Sequence, residues 1–236
     1  MRRLFDAIGT VSLLCCASVA FSNEVQTGES FDSAYEPTHS VSGRVIILAV
    51  SGGVEYQDGN QWRTAQAGTD FYDRLTLRTL TNSYADLWVN DYTSVVRVSS
   101  ESLAEVPHMR LAGSNTTTMV YVRSGGVSVI AGPLSSDSRY EIVTPHGLIE
   151  FGHGAGVVEV AVRLNSATND SQGLSVNALA GAVNVLNISG TNTTVKAGQH
   201  WDDGQPLVKP IEQSALDKLK PAFVELEKES GRRFKP

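Results

Sequence analysis

Val45-Ile46-Ile47-Leu48-Ala49-Val50 is an unbroken apolar run, Ser51-Gly52-Gly53 interrupts it, and Val54-Glu55-Tyr56 resumes it with a polar residue between two apolar ones. An apolar run of this length suits a strand buried on both faces, a glycine pair suits a kink, and alternation suits a strand with one wet face. The same grammar extends outward. Asp58-Gly59-Asn60 turns the chain ahead of Trp62, and Ala67-Gly68-Thr69 breaks it again. In Arg74-Leu75-Thr76-Leu77-Arg78 the leucines face one way and the arginines the other. Ala85, Leu87 and Val89 share one side, Asn90-Asp91-Tyr92-Thr93 reads as a hairpin turn, and Val96 and Val98 lie on the return strand. Further hairpin or corner material falls at 119–123, 127–130, 140–144, 148–151, 157–164, 174–179, 183–188 and 193–196, with Gly125-Gly126 between the first two. About a dozen short strands predict an all-β fold, built as stacked twisted sheets or a short irregular β-solenoid.

Composition agrees. Charged residues are 19% and aromatics 7% of 236 residues, too few charges for an all-helical surface. The formal charge of -6 argues against a nucleic-acid partner, because phosphate binding draws on net positive charge. Residues 1–22 read as an export signal: Arg2 and Arg3 lead, a mostly apolar stretch follows to Phe21, and Ala20 and Ser22 place small residues at the cleavage positions. The stretch is shorter than the roughly 20 apolar residues a spanning helix needs, so no stable membrane insertion is expected after cleavage. Cys15 and Cys16 both lie inside it, and neither follows the small residue a lipid-attachment box requires. The exported part then holds no cysteine, which removes thiolate nucleophiles, cysteine-ligated metals and disulfides.

Residues 23–40 show neither period and read as an irregular leader; 41–210 form the all-β body. Residues 211–236 are a charged helical tail. Ser214 with Asp217 resembles a capping box, and Leu216, Leu219, Phe223 and Leu226 recur at helical spacing. Pro221 predicts a kink or two short helices, and Gly231 a stop.

Three groups of segments, in order, resemble a FecR-type periplasmic domain. The first is Ser51-Gly52-Gly53-Val54, Trp62, Gly68, Leu75-Thr76-Leu77-Arg78-Thr79 and Ala85-Asp86-Leu87-Trp88-Val89. The second is Gly125-Gly126-Val127 with Tyr140-Glu141-Ile142-Val143-Thr144-Pro145-His146-Gly147. The third is Gly181-Ala182-Val183-Asn184-Val185 with Ala197-Gly198-Gln199. Phe151-Gly152-His153 stands where the family usually has Arg-Gly-Thr, and Asn90-Asp91-Tyr92-Thr93 where it often has Asp-Gly-Ser, so no role tied to those residues carries over. Sigma-regulating members add a cytoplasmic helical segment, a membrane helix and a small C-terminal subdomain; none of these patterns is read here, so the expectation is a stand-alone domain. The resemblance implies an extracytoplasmic binding or scaffold module whose partner is another envelope protein.

For the motif residues Gly68, Gly126, Thr144, Pro145, Gly147, Gly181 and Gly198, strand ends and close backbone approach are reason enough. Gly152-His153-Gly154-Ala155-Gly156 lacks the third glycine and the helix of a dinucleotide loop, and reads as a corner. His146, Glu150 and His153 lie within eight residues but on mixed strand parity, and Asp202-Asp203-Gly204 lacks the other oxygens of a calcium loop, so no metal or cofactor is expected. No Gly-x-Ser-x-Gly elbow or His-Glu-x-x-His helix is present, and a non-enzymatic role is expected. Trp62 is assigned to the core. Trp88, out of phase with Leu87 and Val89, and Tyr92 are the candidate binding aromatics. The expected function is an exported, non-catalytic binding, scaffold or signal-relay module, the alternative being a cell-wall or polysaccharide-binding module.

Overall fold

In the computed structural model the chain divides into two units, Met1–Pro37 and Thr38–Pro236. The residues described are 41–72, 74–89, 94–112, 115–164, 171–205 and 207–230, all in the second unit. The expected export segment, the leader, Gly231 and the 90–93 turn with Tyr92 lie outside them.

Among the described residues the chain is all-β with one helix. One sheet runs in the order β4 (Gln61–Thr64), β3 (Val54–Asp58), β6 (Leu75–Thr79), β9 (Leu103–Ala112), β10 (Asn115–Leu134), β11 (Arg139–Thr144), β12 (Gly147–Phe151), β15 (Ala182–Asn187) and β16 (Asn192–Lys196), with β1 (Val41–Ser42) also on β9. The second runs β5 (Asp70–Phe71), β2 (Val45–Ser51), β7 (Tyr84–Val89), β8 (Ser94–Val98), β10 again, β13 (Gly154–Leu164), β14 (Ser171–Ala180), β17 (Gln199–Asp202) and β18 (Lys209–Pro210). All pairings are antiparallel except β10 with β11. Among the described residues β4, β16, β5 and β18 each pair on one side only, so the ladders make two open sheets joined through β10. The inward residues of both sheets form one core: Leu75 and Leu77, Leu87 and Val89, Val120 and Val122, Val127 and Val129, Val158 and Val160, Val183 and Val185.

β10 shows how one strand serves two sheets. Thr118, Val120 and Val122 are buried at even positions, whereas Val127, Val129 and Ala131 are buried at odd ones. A period of two cannot change parity without a break. Gly125, with φ +75, supplies it, and Gly126 donates its N–H to Ser102 Oγ at 2.9 Å. The two segments expected here as separate strands are therefore one strand of 20 residues.

Strand β9, absent from the sequence reading, contains Pro107. Met119 pairs with His108 and Tyr121 with Glu105, which leaves Val106 and Pro107 opposite Val120 in a bulge. A residue without an N–H fits there and nowhere else in an inner strand. Helix α1 (Gln213–Ser230) is continuous through Pro221. It begins one residue before the expected cap: Glu212 C=O accepts from the N–H of Ala215 and Leu216. No helix among the described residues is long and apolar enough to cross a membrane.

Trp62 corrects its core assignment. Its register partner is Gln57, on the outward side of β3 with Glu55, and the ring is half-buried beneath the Arg78 guanidinium at 4.2 Å, while Arg78 also bonds Glu55. The buried tryptophan is Trp201 of β17.

Candidate functional site

The outward face of the second sheet gathers polar side chains from seven strands. The ladders set Asp86, Arg97, Ser128, Glu159, Asn177, His200 and Lys209 side by side in one row, from β7 to β18. Each follows from alternation: Leu87, Val96, Val129, Val160, Val176 and Trp201 take the inward positions beside them. Trp88, Val95, Ile130 and Val157 make the next, apolar row of the same face.

At the β7–β8 end, Arg97 donates Nε to Asp86 Oδ1 and Nη2 to Asp86 Oδ2, both at 2.7 Å, and its guanidinium lies 4.3 Å over the Tyr84 ring. Both side chains are buried, at 8% and 1% exposure, in a bidentate geometry that compensates desolvation. Val95 points outward and is nevertheless fully buried, and helix α1 touches its strand, β8, and β10. The helix starts beside β17 and β18, where Ile211 N–H bonds Gly198 C=O at 2.9 Å. Eighteen residues span about 27 Å, enough to cross the roughly 24 Å of five strand spacings to β8. The tail is thus a cover for this face.

At the other end, Asn177 Nδ2 donates to Glu159 Oε2, His200 Nδ1 meets Asn177 Oδ1, and His200 Nε2 meets Asp202 Oδ2, each at 2.8 Å. Arg163 Nη1 donates to the other Asp202 oxygen at 3.1 Å. Burial raises the Glu159 pKa, against the hydrogen bond from Asn177 and the charge of His200, which lower it. A cleft of about 370 Å³ opens beside this chain, lined by His200, Asp202, Gln205, Lys209, Ile211 and Ala215 among others. Both ring nitrogens of His200 are engaged within this chain of contacts.

Of the residues singled out in the sequence, Trp88 lies on this face, half-buried, opposite Val95 and Ile46. Thr144 Oγ1 donates to Gly147 C=O at 3.1 Å and accepts the His146 N–H at 3.2 Å across the exposed Pro145, and a Cβ on Gly147 would stand 2.9 Å from Asn187 Cα. Gly126 is buried with Val160 C=O beside it, Gly181 turns the chain from β14 to β15, and Gly68 and Gly198 occupy open turns. His146 meets Asp203 at 3.5 Å, with its Nε2 buried and unpartnered; Glu150 pairs in register with Glu141 and Asn184, and His153 is exposed. Asp202 and Asp203 go to different histidines, and no group of three or more metal-ligating side chains forms among the described residues. Glu159, Asn177 and His200 were not marked in the sequence. They are 18 and 23 residues apart, and only strand register unites them.

No protein-family model matches the chain, and no curated protein matches its sequence. Two crystal structures of a "putative anti-sigma factor" from Parabacteroides distasonis are similar in part. One has a TM-score of 0.48 at 10% identity, over 65% of this chain and 73% of that one. The other has 0.47 at 11%, over 64% and 72%. Identities this low leave no side chain of the site to be carried across.

Proposed function

We propose that this chain is an exported, non-catalytic binding or signal-relay module of the bacterial envelope, acting by contact with another envelope protein at the face covered by α1. The observation that carries this reading is the composition of that face. An apolar strip containing the fully buried Val95 lies beside the Asp86–Arg97 pair and Glu159, all on the outside of a sheet whose core is complete without them. Such a face needs a cover, and it has one in a single helix that follows the last strand, with Val224 on its outer side 62% exposed. Helix-in-groove recognition uses this kind of surface, either by adding a partner to the exposed side of α1 or by exchanging α1 for a partner helix. The FecR-like order of the glycine and Thr-Pro-x-Gly segments supports the same class of role.

Photo-crosslinking in cells tests it. A crosslinker at Val224 is expected to trap one envelope protein that a crosslinker at Leu80, 50% exposed on a sheet corner, does not. Adducts absent from both positions, or identical at both, would remove α1 from the reading.

A further inference from the structure

The three 2.8 Å contacts linking Glu159, Asn177, His200 and Asp202 each require one hydrogen between their heavy atoms. Asp202 accepts, since Arg163 holds its other oxygen, so His200 Nε2 donates. Two contacts remain, and the Asn177 amide has one donating and one accepting end. With Nδ2 on Glu159, Asn177 Oδ1 faces His200 Nδ1, and the ring must carry a second proton. With the amide turned over, Nδ2 serves a neutral ring, and Oδ1 requires a proton from a Glu159 carboxylic acid. Both arrangements occupy the same space and hold one titratable proton between Glu159 and His200. With no proton, one contact sets two acceptors against each other. With two, the carbonyl oxygen of the Glu159 acid still accepts from Nδ2 while the charged ring donates to Oδ1, so the row closes again.

We propose that Glu159, Asn177 and His200 form a proton-dependent lock, which fastens β17, and with it β18 and the root of α1, to β14 only while the pair carries at least one proton. The link to the helix is short. His200 pairs in register with Lys209 and Gln199 with Pro210, and Ile211 hangs from Gly198. Among the described residues, the charged and titratable groups around the ring are Glu159 and Arg163 from β13, Asp202 from β17, Lys209 from β18 and Glu212 ahead of α1. Burial of Glu159, which raises its pKa, moves its titration toward that of imidazole, so that one proton can be shared. The lock rests on these distances alone and stands apart from the identity of any partner.

The test is amide exchange at Ile211 in the full chain from pH 4 to 9, corrected for intrinsic exchange, with the His200 ring nitrogens followed by NMR. Protection is expected to hold on the acid side and to fall about tenfold as the pH rises and the pair loses its last proton, the scale of one lost hydrogen bond. Glu159→Gln is the decisive variant. A glutamine amide can donate to Asn177 or accept from it, so the row closes with a neutral or a charged ring, and protection becomes flat in a protein that stays folded. Flat protection in the parent chain, or the same alkaline loss in Glu159→Gln, would overturn the lock.

Discussion

Gly125 and Gly198 have nearly the same backbone, φ +75 and +78, and differ in what surrounds them. A Cβ on Gly125 would stand 2.6 Å from Ser102 Cα and 2.7 Å from Glu101 C=O, whereas one on Gly198 meets nothing within 4 Å. Alanine at Gly198 therefore incurs only the left-handed penalty, about 1–2 kcal/mol. Alanine at Gly125 adds a backbone collision that the shared strand cannot relieve, for a loss of about 4 kcal/mol or more. Urea unfolding of the two variants measures the difference, and equal midpoints would mean that the crossing between sheets tolerates a shift. The Gly125-Gly126 pair was legible as a break. Which glycine carries the strain was not, because that depends on Ser102, brought alongside by the pairing of β9 with β10.

Among the elements, β4 and β17 each carry a tryptophan, and their places in the sheets decide its worth. β17 lies between β14 and β18 with Trp201 turned into the core at 3% exposure; β4 is an edge strand with Trp62 turned out under Arg78. Trp201→Ala is expected to cost about 3–5 kcal/mol. Trp62→Ala is expected to cost about 1 kcal/mol or less, the scale of an exposed cation–π contact. Thermal unfolding separates them, and a larger loss at Trp62 would return it to the core. Alternation alone located most inward positions, as in Leu75 and Leu77 or Leu87 and Val89, because small and branched apolar residues recur there at every second position. It failed for Trp62, where the strand is four residues long and has no apolar partner to set its phase, and for β9, where Pro107 broke the pattern that the bulge accommodates.

On the scale of the whole molecule, the buried core cluster contains no residue of α1 among the described residues, yet the helix touches β10 and β8, the strand that carries Val95. The covered row was invisible in the sequence for the same reason that Glu159, Asn177 and His200 were: its members are separated by whole strands, and each alone is an ordinary outward polar residue. Removing residues 211–236 while keeping β18 is expected to leave a cooperative β transition, with Tm lowered by about 5–10 °C as the apolar strip becomes exposed. The truncated chain should bind a hydrophobic dye that the full chain does not, because Val95 and its neighbours then face water as one patch. A truncated chain that loses cooperative unfolding would make α1 part of the core and not its cover. One that unfolds unchanged, without gaining dye binding, would place the protection of Val95 in the strands themselves.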